Sequence, residues 1–186
     1  IQSAHATAKN WNETDWTEYV SITIDSSNID ETLTDYPVYV NLADLGPNFW
    51  STLNDGGTDI RVTNNADTEL PREVVSASTT LETGELHFKA DTVSSTADTI
   101  FRIYYNGTTT ADYASSTTYG SHNVWNDYNV VWHMDALAQS DSSGNLPDRN
   151  PSGAEAGFTR PSTISSEGNV IFDANNEFRV NVADEG

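Results

Sequence analysis

Cysteine is absent from this 186-residue chain. That excludes disulfide staples, zinc–thiolate centres and cysteine nucleophiles, though it does not exclude secretion. Positive charge is almost as scarce: eight Lys and Arg stand against 28 Asp and Glu, a formal net charge of −20. Such a surface repels a phosphate backbone, so nucleic acid is excluded as a partner, and an anionic membrane surface is disfavoured for the same reason. No apolar run reaches the length of a transmembrane helix, and no membrane insertion is expected in this segment. Motifs that carry chemistry are missing as well. The four histidines, His5, His87, His122 and His133, show no His-Glu-x-x-His spacing, and there is no Gly-x-Ser-x-Gly elbow or Gly-rich phosphate loop. Carboxylate pairs for glycoside hydrolysis could be drawn from many of the acids, but nothing in the sequence fixes their separation. The reading is a non-enzymatic protein.

What the chain does have is aromatic bulk and short alternating strands. Five Trp, eight Tyr and six Phe supply large buried surfaces, enough for folding despite the charge. Val20-Ser21-Ile22-Thr23-Ile24 alternates apolar and polar, as a half-buried strand does. Tyr36, Val38, Val40 and Leu42 form the inward set of a second strand, with Pro37 near its start. Pro47 to Leu53 suits one short helical turn that caps the core with Phe49, Trp50 and Leu53 and ends at Gly56-Gly57. Further strands are expected at Val74-Val75, Leu86 to Ala90 and Ile100 to Tyr105, separated by Thr-, Ser-, Asp- and Gly-rich turns. Short strands with so little helix give an all-β class, an antiparallel β-sandwich or jelly roll with one short helix.

The chain reads as three segments. Residues 1–15, rich in Ala, Thr and Asn, read as an N-terminal arm, and 16–115 as the sandwich module. Residues 116–186 read as a linker and an incomplete second β-domain, with Thr108 to Ser121 as the connection. In that last part Val130 to Met134, Val170 to Phe172 and the alternating Phe178, Val180 and Val182 are expected as strands. About four strands make a poor independent sandwich, so this part is a fragment or packs on the first domain or a neighbouring chain. The chain opens on Ile1, and Ala4-His5-Ala6 matches the small-residue pattern of a signal-peptidase site, so removal of an upstream segment is expected.

Four ordered stretches resemble domain of unknown function 2341, a module of bacterial and archaeal surface proteins. They are Trp16 through Leu42 with Leu33-Thr34-Asp35-Tyr36-Pro37-Val38, then Asp59-Ile60-Arg61-Val62 with Leu70 and Glu73, then Ile103-Tyr104-Tyr105-Asn106-Gly107, and the spacing between them. The resemblance covers residues 11–115; Asn106-Gly107 stands where family members often have Gly-Asn, and the tryptophan pattern after Val75 is weaker. It implies a secreted or surface-attached protein, often an adhesin or filament component, and no catalytic mechanism. Val131 to Met134, Asp141 to Asn145 and Phe172 to Phe178 look like the opening of the concanavalin-A-like or laminin-G-like jelly roll that commonly follows this module.

Arg61 is the first candidate for a site. Flanked by Asp59 and followed by Glu69 and Glu73, it can form a bidentate carboxylate pair across the hairpin, either as a pin of strand register or as a ligand contact. Tyr39, on the outward face of its strand, is the expected exposed aromatic platform, so Tyr39, Arg61 and Glu73 form the candidate ligand set. Calcium is the one cofactor the sequence provides for, with Asp141, Asn145 and Asp148 in one loop and Asp173, Asn175 and Asn176 in another. Chance clustering among so many acids is the competing reading. Asn12 and Asn106 head glycosylation sequons. The leading expectation is an extracellular surface or filament module for adhesion or assembly, partnered by neighbouring subunits or surface glycans. A carbohydrate-binding domain of a larger glycan-acting protein and a subunit completed by strand exchange are the alternatives.

Overall fold

The computed structural model describes residues 15–108, 111–133 and 141–145, together with the backbone of 2–7. The chain divides into two units, Ile1–Val131 with Asp141–Pro147, and Trp132–Ser140 with Asp148–Gly186. All of the described strands belong to the first unit. The strands expected beyond Met134 lie outside the described residues.

Among the described residues the first unit is a two-sheet antiparallel sandwich with a single short helix. Its strands are β1 (Gln2–Thr7), β2 (Trp16–Ile24), β3 (Leu33–Asn41), β4 (Arg61–Asn64), β5 (Glu69–Leu70), β6 (Arg72–Ser78), β7 (Thr83–Val93) and β8 (Thr99–Gly107). One sheet runs β1-β2-β8-β4-β5 and the other β3-β7-β6. The period-2 alternation decides which side chains meet between them. Val20 and Ile22 of β2, Val38 and Val40 of β3, Leu86, Phe88 and Ala90 of β7, and Phe101, Ile103 and Tyr105 of β8 form one core. Phe88 and Phe101 join the two layers, their rings 4.9 Å apart.

One end of the sandwich is closed by the helical segment the sequence predicts. Helix α1 (Pro47–Thr52) carries Pro47 in its first turn, where the missing N–H costs nothing. It stops at Leu53, well before Gly56, because Leu53 is already extended and its N–H closes on the Phe49 carbonyl. Phe49 and Trp50 are buried, and Phe49 meets the Trp50 and Tyr105 rings edge-on at 5.0 Å.

Three segments depart from expectation. Gln2–Thr7, read as part of an arm, pairs with β2 in the register Gln2↔Thr23 to Thr7↔Glu18. The first unit continues past the expected boundary at 115, because residues 111–131 pack on the sandwich. Val130 to His133 form no strand. The Val131 backbone instead turns to a loop, its N–H donating to the Asp141 carboxylate and its carbonyl accepting from Ser142 N–H.

Candidate functional site

Two places gather the polar and aromatic side chains. The first is the outer side of β4, where the strand alternation turns Arg61 away from Ile60 and Val62. Arg61 is not solvent-facing; it is 1% exposed. Its Nη1 donates to the carbonyls of Thr58 (2.9 Å) and Ile60 (2.7 Å), and its Nη2 donates to that of Ala111 (3.1 Å). Aromatic rings close over the guanidinium, Tyr113 at 4.2 Å and Trp16 at 5.0 Å. Arg72 lies beside it, also buried. It donates from Nε to the Ile60 carbonyl (2.8 Å) and from Nη2 to Asp112 (2.5 Å). Tyr113 ties the pair together by donating its hydroxyl to Glu69 at 2.8 Å.

The bidentate carboxylate pair expected for Arg61 is not formed. Its Nε stands 3.9 Å from Glu69 Oε1, too far for a hydrogen bond, and Nε makes none elsewhere among the described residues. Glu73 is not beside it at all. Pro71 carries the chain from one sheet to the other, so Glu69 in β5 and Glu73 in β6 belong to different layers.

Burial sets the electrostatics here. Desolvation raises the Glu69 carboxyl above its ordinary range, opposed by the Tyr113 hydrogen bond and the two arginines. It lowers Arg72, opposed by Asp112. Asp59, fully buried, is raised by desolvation although backbone N–H groups of Gly107 and Asn54 hold its oxygens at 3.2 Å. The Asp59 carbonyl accepts Trp16 Nε1 at 2.6 Å, which fixes the indole over Arg61. Gly107 leaves room for this contact, since a Cβ there would lie 2.6 Å from Trp16 Nε1 and force the ring to shift.

The second place is the outer face of the three-stranded sheet. Glu73, His87 and Tyr39 sit in register across β6, β7 and β3. The segment after Tyr119 covers part of this face. Trp125 donates Nε1 to Glu73 Oε2 at 2.5 Å, and Ser142 donates to Oε1 at 2.6 Å. Lys89 is held by Asn126 Oδ1 (2.5 Å) and Asp127 Oδ2 (2.8 Å). Rings form a row: Tyr39 to His87 at 5.5 Å, His87 to Trp125 at 5.0 Å, Trp125 to Tyr128 at 5.5 Å. The end members are open, Tyr39 at 52% and Tyr128 at 42% exposure. The Tyr39 phenol is raised by partial burial and then by Glu85 and Asp44.

The expected ligand set is therefore split. Tyr39 and Glu73 share a face with His87 between them, and Arg61 lies elsewhere under Tyr113. Four of the six expected calcium ligands, Asp148, Asp173, Asn175 and Asn176, lie outside the described residues, as does the sequon residue Asn12. Asp141 is 4% exposed, and its carboxylate accepts from Val131 N–H, Ser143 N–H and the Ser143 hydroxyl. Asn145 donates its amide to the Tyr128 carbonyl at 2.7 Å. Asn106 is half-buried in the left-handed region at φ 57° and donates Nδ2 to Thr17. His87 was not singled out by sequence reasoning, whereas Trp125 belongs to the aromatic set that the sequence offers as stacking faces, most of it expected in the core. His87 was legible in principle, since it alternates with Leu86 and Phe88 and so must face outward.

Comparison with family models, with curated proteins and with solved structures finds no match to this chain.

Proposed function

We propose that this chain is a non-enzymatic module of a secreted or surface-attached protein, acting in adhesion or assembly. One observation carries the reading. Arg61, Arg72 and Glu73 are covered by the chain's own residues 111–131 and 141–142, while the rings of Tyr39 and Tyr128 stand open to solvent on the outer face of the three-stranded sheet. Arg61 and Arg72 are bound to carbonyls, Asp112 and Tyr113, and Glu73 to Trp125 and Ser142. Groups held this way organise a scaffold. A large acidic charge suits a protein kept soluble by self-repulsion, and the lack of cysteine does not exclude secretion.

The test uses the purified full chain, scored for self-association by light scattering and electron microscopy, for retention on insoluble polysaccharides and cell surfaces, and for turnover of a broad substrate panel. Self-association or retention without turnover is the expected result. Specific turnover overturns the reading, and so does a monodisperse monomer that nothing retains.

A further inference from the structure

We propose that the row Tyr39–His87–Trp125–Tyr128 is a binding ledge for an uncharged polysaccharide, with Tyr39 and Tyr128 as its stacking faces. The proposal rests on the module being an adhesion module and names the ligand class of its exposed face.

The geometry comes first. Successive ring centroids lie 5.5, 5.0 and 5.5 Å apart with planes inclined by 49°, 57° and 83°, so each ring props the next and the two end rings stand at opposite ends of one aromatic row. Both inner rings are fixed before any ligand arrives. His87 sits on β7 with Nε2 2.7 Å from Glu85 Oε1, and Trp125 is anchored to Glu73. Both are largely buried, Trp125 at 7% and the His87 side chain at 13% exposure, so they act as fixed props for the two exposed tyrosines, which then bind with little loss of side-chain freedom. The outer rings remain accessible, at 52% and 42% exposure.

The chemistry of the rim selects the occupant. A pyranose ring has an apolar face of C–H bonds and a polar circumference of hydroxyls, so it matches a flat ring bordered by acceptors. Glu85, with its side chain 37% exposed, and Asp127, at 65%, supply carboxylate oxygens at the ledge. Those carboxylates accept hydroxyl protons and repel carboxylate or sulfate groups. The chain's charge of −20 acts in the same direction. An anionic glycan and a nucleic acid are both disfavoured, although either could stack. A neutral glycan meets both requirements.

The experiment is affinity electrophoresis and calorimetry of the full chain with neutral β-glucan, mannan and α-glucan, against alginate and heparin as anionic controls. The variants are Tyr39→Ala, Tyr39→Phe, Tyr128→Ala and Glu85→Gln, each checked for an unchanged thermal transition. At least one neutral polysaccharide is expected to bind, with affinity falling about fivefold or more in Tyr39→Ala through the lost ring contact and retained in Tyr39→Phe. Binding equal to the wild type in both Tyr39→Ala and Tyr128→Ala overturns the proposal, and so does preference for the anionic controls. If no neutral glycan binds but the chain self-associates through this face, the occupant is a second copy; the ledge proposal falls while the adhesion-module reading stands. If the chain neither binds nor self-associates, both fall.

Discussion

The guanidinium of Arg61 and the ring of Tyr113 lie 4.2 Å apart, and that contact decides what the segment after β8 does. Arg61 holds the Ala111 carbonyl, Arg72 holds Asp112, and Tyr113 covers both and reaches Glu69. Three consecutive residues of an otherwise small and polar stretch are thus fastened to two buried cations. The segment closes the outer side of the hairpin and leads onward to Trp125.

Tyr113→Phe and Tyr113→Ala separate the two parts of this contact. The Phe variant loses only the hydroxyl bond to Glu69 and should cost about 1 kcal/mol. The Ala variant also uncovers Arg61 and should cost about 3 kcal/mol, on the scale of a large aromatic deletion. Urea denaturation measures both. Limited proteolysis should open between 108 and 121 in Tyr113→Ala before the sandwich unfolds. Equal stability of Ala and wild type would show that the segment is not clasped through this ring.

Arg61→Met keeps the length of the side chain and removes its charge. The carbonyls of Thr58, Ile60 and Ala111 lose their donor, and Glu69 keeps only Arg72 as a nearby cation. A cost of about 3–5 kcal/mol is expected, the range for removing one member of a buried ionic group. Binding to any ligand should be lost only along with folding, because Arg61 does not reach the exposed face. A folded Arg61→Met chain with abolished binding would contradict this placement.

Glu69 also gives the chain a pH dependence with a definite sign. Burial raises its folded-state pKa above the ordinary 4.5, so the folded state binds a proton more readily than the unfolded state does. Its ionisation therefore destabilises the fold at neutral pH, and stability rises as pH falls through the raised value toward 4.5. Asp59 adds to the rise in the same way, since burial lifts it above 3.8. Below 3.8 the sense reverses, because Asp25 and Asp55 are depressed by hydrogen bonds from Ser27 and Thr79 and lose that stabilisation on protonation. The melting temperature should pass through a mildly acidic maximum. Relief of net negative charge pushes the same way, so the discriminating measurement is Glu69→Gln, which keeps an acceptor for Tyr113 and removes the titration. Its melting temperature should rise less than the wild type's between neutral pH and 4.5. Parallel curves would rule out a contribution from Glu69.

Local pattern carried the core and missed the clasp, for separable reasons. Val20 and Ile22, Val38 and Val40, and Leu86, Phe88 and Ala90 alternate strictly and face the core, whereas Tyr36, expected in the inward set of β3, is 47% exposed instead. Pro47 marked α1 because its fixed backbone angle suits a first helical turn. The placement of residues 111–131 is carried by contacts across the sequence, Arg61 to Ala111 and Glu73 to Trp125 among them, and a run of Thr, Ala and Ser has no periodicity to announce them. Strand β1 was missed likewise, since Gln2-Ser3-Ala4-His5-Ala6-Thr7 offers no large apolar alternation. Glu69 and Glu73 looked equivalent beside Arg61 because local spacing does not reveal that the chain changes sheets at Pro71. Tyr39 needed only its own strand's alternation, and its exposure was legible from it.

Gly107→Ala should damage the fold at one named contact. Gly107 is the last residue of β8, paired with Trp16, and its N–H donates to Asp59. An added methyl would stand 2.6 Å from Trp16 Nε1 and 2.8 Å from the adjacent ring carbon. An indole held between β8 and Arg61 has little room to retreat, so the ring must shift and lose its bond to the Asp59 carbonyl. A cost of about 1–3 kcal/mol is expected, the usual penalty for overpacking. Trp16→Phe provides the comparison: it gives up the same Asp59 bond but leaves space for the new methyl. Adding Gly107→Ala to Trp16→Phe should therefore cost less than adding it to the wild type, and a double-mutant cycle by urea denaturation measures the difference. Strict additivity would place the strain of Gly107→Ala somewhere other than the indole.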